Sequence, residues 1–172
     1  MPSQSEFPLE GGCGCGNVRY RIETAPVFVH CCHCRWCQRE SGSAFVLNAI
    51  IESDRVSHLR EEPEVILTPS ESEAGQKIAR CRDCKVAVWS NYCNAGPVLR
   101  FIRVGTLDQP DRITPDIHIY VASKQPWVIL PQGPPAVEEF YKVDEFWPAH
   151  GLERLEALKP KIDAYHAASK CS

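Results

Sequence analysis

Three groups of cysteines carry the chemistry open to this chain. The densest is Cys31-Cys32-His33-Cys34-Arg35-Trp36-Cys37; Cys13-Gly14-Cys15 lies upstream and Cys81-Arg82-Asp83-Cys84 downstream. On an extended segment residues i and i+2 point the same way, so Cys13 and Cys15 can offer two sulfurs to one ion. Cys81 and Cys84 have the spacing of a zinc knuckle. Together the two pairs supply four thiolates, the closed tetrahedral set of a structural zinc. Such a zinc closes a long loop, so binding it becomes part of folding. The alternatives are buried free thiols or a redox dithiol at Cys81 and Cys84, which lacks the βαβ context of that chemistry.

Cys32, Cys34 and Cys37 combine both spacings. Three thiolates leave tetrahedral zinc one open position, which separates catalytic from structural sites. Other registers stay open. Cys31 can stand in for Cys32, and His30, His33, Cys31 or a distant residue such as Cys93 can complete the shell and make it structural. Cys93 otherwise reads as a small core residue or loop thiol. Cys171, beside the C-terminus, reads as solvent-exposed.

A chain of 172 residues can bury roughly 70% of its unfolded surface, so its ten cysteines are not needed as disulfides. The start, Met1 to Glu6, lacks the basic and apolar runs of a secretory signal. No apolar run approaches the ~20 residues of a membrane span. These features point to a reducing setting, cytoplasmic or nuclear, where clustered cysteines more often bind metal than form disulfides. The net charge of −3, from 19 basic and 22 acidic residues, gives no basic stripe for nucleic acid.

The elements that must position the cysteines are short strands. Residues 1–10 read as a loose polar arm, followed by a glycine-cysteine turn at Gly11 to Gly16. Asn17 to Glu23 alternates as a half-buried strand. Val27 to His30 leads into the cluster, and Gln38 to Ser43 forms a helical turn and loop. Ala44 to Glu52, Glu64 to Thr68, Gln76 to Arg80, Val86 to Tyr92, Leu99 to Val104 and Ile117 to Ala122 read as further strands, giving an antiparallel β fold. Leu152, Leu155, Leu158, Ile162 and Tyr165 mark an amphipathic helix, which Pro160 should kink or split near Lys159.

Gly12-Cys13-Gly14-Cys15-Gly16-Asn17-Val18-Arg19-Tyr20 resembles the opening motif of the glutathione-dependent formaldehyde-activating (Gfa-like, CENP-V/GFA-domain) family. Cys32-His33-Cys34-Arg35-Trp36-Cys37-Gln38-Arg39 with Ser41 to Phe45 is similar to its central motif. Cys81-x-x-Cys84 resembles the third, and His118-Ile119-Tyr120 with Lys124 and Trp127 the closing segment. The resemblance spans roughly residues 10–130. It departs at Lys85, where the family usually has glycine, and at the extra thiol of Cys31.

The resemblance implies a mainly β, Mss4-like antiparallel fold stapled by zinc, with the amphipathic helix appended. The chain then divides into an arm at 1–9, a zinc-binding β domain at 10–136 and an extension at 137–172. It implies two zincs per chain: a structural one on Cys13, Cys15, Cys81 and Cys84, and an active-site one on Cys32, Cys34 and Cys37. It further implies a carbon–sulfur lyase, similar to S-(hydroxymethyl)glutathione synthase, with glutathione or its adduct as substrate. Two carboxylates on glutathione call for cations or donors, and Arg35, Arg39, Ser41, Ser43 and Lys124 are candidates. Trp36 and Trp127 are candidate apolar walls, and His118 a candidate base. Each has a plainer role as surface charge, loop former, core or strand residue. A water on the open position would make the chemistry hydrolytic. A zinc-stapled binding module and a lyase for a larger glutathione conjugate are the rival functions, and a roomy aromatic pocket beside the zinc would favour the latter.

Overall fold

The computed structural model describes residues 7–72 and 74–168. The strands are β1 (Leu9–Gly12), β2 (Arg19–Ile22), β3 (Phe28–Cys32), β4 (Val46–Glu52), β5 (Val56–His58), β6 (Glu64–Thr68), β7 (Gln76–Arg80), β8 (Ala87–Tyr92), β9 (Leu99–Arg103) and β10 (Ile117–Ile119). Three helices join them: α1 (Arg35–Ser41), α2 (Val143–Phe146) and α3 (Ala149–Ala168). The strands form two sheets, ordered β1-β2-β5 and β10-β3-β4-β9-β8-β7-β6. The fold is mainly β with a C-terminal helix. No helix among the described residues is long and apolar enough to cross a membrane.

Alternation on the central strands builds two cores. Ala49 and Ile51 of β4 join Val29, Tyr20, Ile22, Trp89 and Ile102 in a cluster shared with the small sheet. Val46 and Ile50 point the other way, with Phe28, Cys32, Ile117 and Ile119, into a cluster completed by Tyr141, Trp147 and Leu158. All five residues of β3 are buried, as expected of a strand covered on both faces.

The structure departs from the sequence reading in four places. Leu9 and Glu10 are not a loose arm: β1 pairs with β2, Leu9 opposite Ile22, and the buried Leu9 side chain anchors it. Met1 to Glu6 of that arm, and Cys171, lie outside the described residues. The fold is not wholly antiparallel, because β10 runs parallel to β3 with Ile119 opposite Cys32. Helix α1 starts at Arg35, not after the cluster. It begins there because the Cys34 sulfur accepts the Cys37 N–H at 3.4 Å and caps the first turn.

The fourth is α3, which Pro160 does not split: one helix runs from Ala149 to Ala168. Packing holds the register on both sides of the proline. Leu152, Leu155, Leu158 and Ile162 all lie against the second core, and the proline ring itself faces solvent. Arg154 donates to Glu52, with Nε to Oε1 at 2.7 Å, and to the Ala25 carbonyl at 2.9 Å. Near the far end the Tyr165 ring lies on Gly96, where a Cβ would come within 2.5 Å of it. Tertiary contacts thus offset the missing backbone bond.

Candidate active site

The first cysteine group joins two turns. Between β1 and β2, the Val18 N–H donates to Cys13 Sγ at 3.3 Å and Gly16 takes a φ of 80°. Between β7 and β8, Lys85 donates its N–H to the Cys81 carbonyl at 3.1 Å. Asn17 Nδ2 donates to Asp83 Oδ2 at 2.5 Å and ties one turn to the other. Cys13, Cys15, Cys81 and Cys84 then place their sulfurs within 4.8 Å of one another. The Cys13–Cys15 and Cys15–Cys81 separations are 3.4 and 3.6 Å, close to the ~3.8 Å edge expected for sulfurs at 2.3 Å from zinc. The donor set fits a tetrahedral zinc. Burial works against ionisation of Cys13, yet the Val18 N–H and the neighbouring sulfurs bring its pKa down to about 6. Lys85, at the position where a glycine was expected, has a φ of 60°, the left-handed conformation that favours glycine.

The second group is set by β3 and the start of α1. Cys32, Cys34 and Cys37 are all buried, with sulfurs within 4.8 Å of one another. Hydrogen bonds from the Cys32 and Cys37 side chains hold Cys34 down to about 3, and the Cys37 and Trp36 backbone adds to the pull. Cys32 is pushed up first by its contact with the Cys34 sulfur and then by Cys37 and burial. The contacts thus favour the thiolate at Cys34 and disfavour it at Cys32. Such a set of soft, converging thiols fits zinc.

Alternation along β3 answers which residues join it. Cys31 lies on the opposite face from Cys32 and gathers with His33 and His118 instead. Cys31 Sγ is 3.5 Å from His33 Nε2, and that nitrogen is 3.1 Å from His118 Nδ1. Burial pushes His33 down to about 4, helped by His118 and Lys124, and lowers His118. His30 shares the face of Cys32, but its Nε2 is hydrogen-bonded to the Tyr141 hydroxyl. Among the described residues no Cys, His, Asp or Glu joins the three sulfurs at the same mutual distance.

The three sulfurs line a cavity of about 570 Å³. Its wall is largely apolar and aromatic: Trp36, Tyr92, Phe101, Tyr120, Phe140 and Trp147. Part of it comes from the end of the chain, with Phe140, Val143, Trp147, Leu155 and Ile162 facing the cysteines. Trp147 stacks on Phe28, with centroids 5.6 Å apart, and donates its indole N–H to the Tyr141 hydroxyl at 2.7 Å. Tyr120 adopts a φ of 58°, strain of a kind that collects at functional sites.

Gln38 fixes α1 to the segment after β10. Its Nε2 donates to the His33 and Ser123 carbonyls at 2.6 and 2.9 Å, and its Oε1 accepts from Gln125 at 2.7 Å and Arg35 at 3.0 Å.

The other sequence candidates lie off this cavity lining. Arg39 is exposed on α1. Ser41 Oγ donates to the Cys37 carbonyl at 2.8 Å and borders a different depression, of about 750 Å³, beside Glu40 and Arg80. Lys124 Nζ donates to the Gln125 and Val128 carbonyls at 3.2 and 2.7 Å. Trp127 is 72% exposed. Sequence reasoning missed Phe140, Trp147, Tyr92, Phe101 and Gln76. For two of these a signal existed, since Phe140-Tyr141 and Phe146-Trp147 are aromatic pairs in a stretch without clear periodicity.

Residues 8–123 match the family of glutathione-dependent formaldehyde-activating enzymes, and the chain belongs to that family. No curated protein matches it. A crystal structure of a Rhodobacter sphaeroides protein is similar, at 16% identity and a TM-score of 0.47, over 75% of this chain and 100% of that one.

Proposed function

We propose that this chain is a zinc-dependent carbon–sulfur lyase or synthase acting on glutathione adducts, in the manner of an S-(hydroxymethyl)glutathione synthase. The observation that carries the reading is the incomplete set of three buried sulfurs on the wall of a cavity. Zinc there would hold a substrate thiol as thiolate at neutral pH and stabilise the same sulfur as the C–S bond breaks. Cys13, Cys15, Cys81 and Cys84 would hold a second, structural zinc.

The protein groups supply the rest. The Cys37 N–H and its bond to Cys34 keep the three sulfurs converged. Arg103 adds a buried positive charge nearby, with Nη1 donating to Asn48 Oδ1 at 2.7 Å, and Asn48 lines the cavity. The aromatic wall would limit water at the sulfurs, which would favour transfer of the sulfur over hydrolysis. The cavity lining includes no lysine or arginine among the described residues. The glutathione carboxylates would therefore lie outside it, with Arg39 and Lys124 as the cations at hand. An incomplete metal shell facing a cavity supports an enzyme over a zinc-stapled binding module, whose shells are closed.

The test follows formation and breakdown of S-(hydroxymethyl)glutathione by proton exchange in NMR, with the protein at two zincs per chain. Exchange should accelerate with wild type and fall to the uncatalysed rate with Cys34→Ser, while Arg39→Ala and Lys124→Ala raise KM. Equal exchange with and without the wild-type protein would sink the reading.

A further inference from the structure

The family match ends at residue 123, yet Phe140, Val143, Trp147, Leu155 and Ile162 wall the cavity from beyond it. A formaldehyde adduct brings one carbon and a hydroxyl to the sulfurs. A space of about 570 Å³ lies within the range of sites that enclose whole organic groups. Six aromatic rings line it, and they offer flat apolar surface for stacking.

A second observation points to a ligand. Gln76 is 2% exposed and lines the same cavity. Its Nε2 donates to the Pro69 carbonyl at 3.3 Å, but its Oε1 is buried without a partner among the described residues. A buried amide oxygen is ordinarily bonded, and leaving one bare is costly. A ligand O–H or N–H would satisfy it.

We propose that this cavity binds thiol adducts of a bulky, aromatic aldehyde bearing a hydroxyl donor, with the ring among Trp36, Phe101, Tyr120, Phe140 and Trp147 and the donor on Gln76 Oε1. This rests on the reading of Cys32, Cys34 and Cys37 as the thiol-handling site. In the cleaving direction the C–S bonding pair stays on sulfur. The adduct's hydroxyl oxygen forms the C=O bond, and its proton passes to solvent. No oxidant or reductant is required, and the reverse step restores the adduct.

Stable thioethers test the assignment without turnover. S-methylglutathione, S-benzylglutathione and S-(4-hydroxybenzyl)glutathione are titrated into the zinc-loaded full chain by calorimetry. The benzyl compound should bind at least tenfold more tightly than the methyl one, and the hydroxyl should add about tenfold more. Gln76→Leu should erase the hydroxyl's advantage, keep the benzyl advantage and leave the free protein at least as heat-stable. Phe140→Ala, at a half-exposed position that tolerates truncation, should cut the benzyl advantage about fivefold. Equal affinity for methyl and benzyl compounds overturns the proposal, as does a hydroxyl preference that survives Gln76→Leu. The two readings separate cleanly. Lost ratios with intact turnover of the formaldehyde adduct reject the aromatic pocket alone. Intact ratios with no turnover of any adduct reject the thiol chemistry alone.

Discussion

The two cysteine groups are made of the same ligand but sit in opposite surroundings. Cys13, Cys15, Cys81 and Cys84 come from two turns far apart in sequence, and Cys15 and Cys84 are exposed. They number four, they converge, and none of them lines the sulfur-walled cavity. Cys32, Cys34 and Cys37 come from one strand end and one helical turn, are wholly buried, and face a cavity. A cross-link between distant turns stabilises by what it closes. A local group contributes little to closure, so its burial and its missing fourth partner need another explanation. The proposed thiol chemistry would supply one.

Substitutions can break this contrast or sharpen it, and the largest effect belongs to the distant pair. Cys84→Ser should leave the chain unfolded or aggregated, because the binding energy of a structural zinc is folding energy. Circular dichroism and metal content check it, and a folded protein lacking only one zinc would erase the difference between the groups. Trp147→Ala should destabilise by about 3–5 kcal/mol, read from denaturant unfolding. The three-cysteine site should lose its metal to chelator sooner, while the four-cysteine site is unaffected. Cys34→Ser should cost one zinc per chain and all thiol-dependent turnover, yet shift the unfolding free energy by no more than about 1–2 kcal/mol. Unfolding as severe as that of Cys84→Ser would mean both groups are staples. The smallest effect is a gain. Lys85→Gly relieves a left-handed backbone angle beside Cys84 and should stabilise by about 0.5–1 kcal/mol. It gives up only an exposed ion pair from Lys85 Nζ to Glu64 Oε1 at 2.8 Å, worth little in water.

Much of this was legible because it is local. The i, i+2 and i, i+3 cysteine spacings name both groups, and period-two alternation on β3 contains the separation of Cys31 from Cys32 once the strand's frame is known. What stayed hidden depends on distant pairing. The parallel seating of β10 on β3 brings His118 to His33, and no local pattern specifies it. The pairing of β1 with β2 was masked by the polar stretch before Leu9. Pro160 was read by its local penalty, while packing from four apolar side chains decided the outcome. The cavity is the extreme case. Its wall joins β3, β4, β7, β8 and β9 to the chain's last helix, and no window of sequence contains them together.

The clamp between Arg154 and Glu52 also decides how anything reaches the sulfurs. Glu52 is buried, its side chain only 6% exposed, and lifting α3 would take away its Arg154 partner and leave that carboxylate to Arg55 alone, whose Nε lies 3.3 Å from Oε1, a costly loss for a buried charge. Lys161 to Asp54 at 3.0 Å and His166 to the Asn94 carbonyl at 2.9 Å hold the same helix further along. The helix is thus a fixed partition and not a door. Of the large apolar side chains that line the cavity, Phe140 is the one exposed to solvent, at 53%, so a ligand of the proposed kind would have to enter beside its ring.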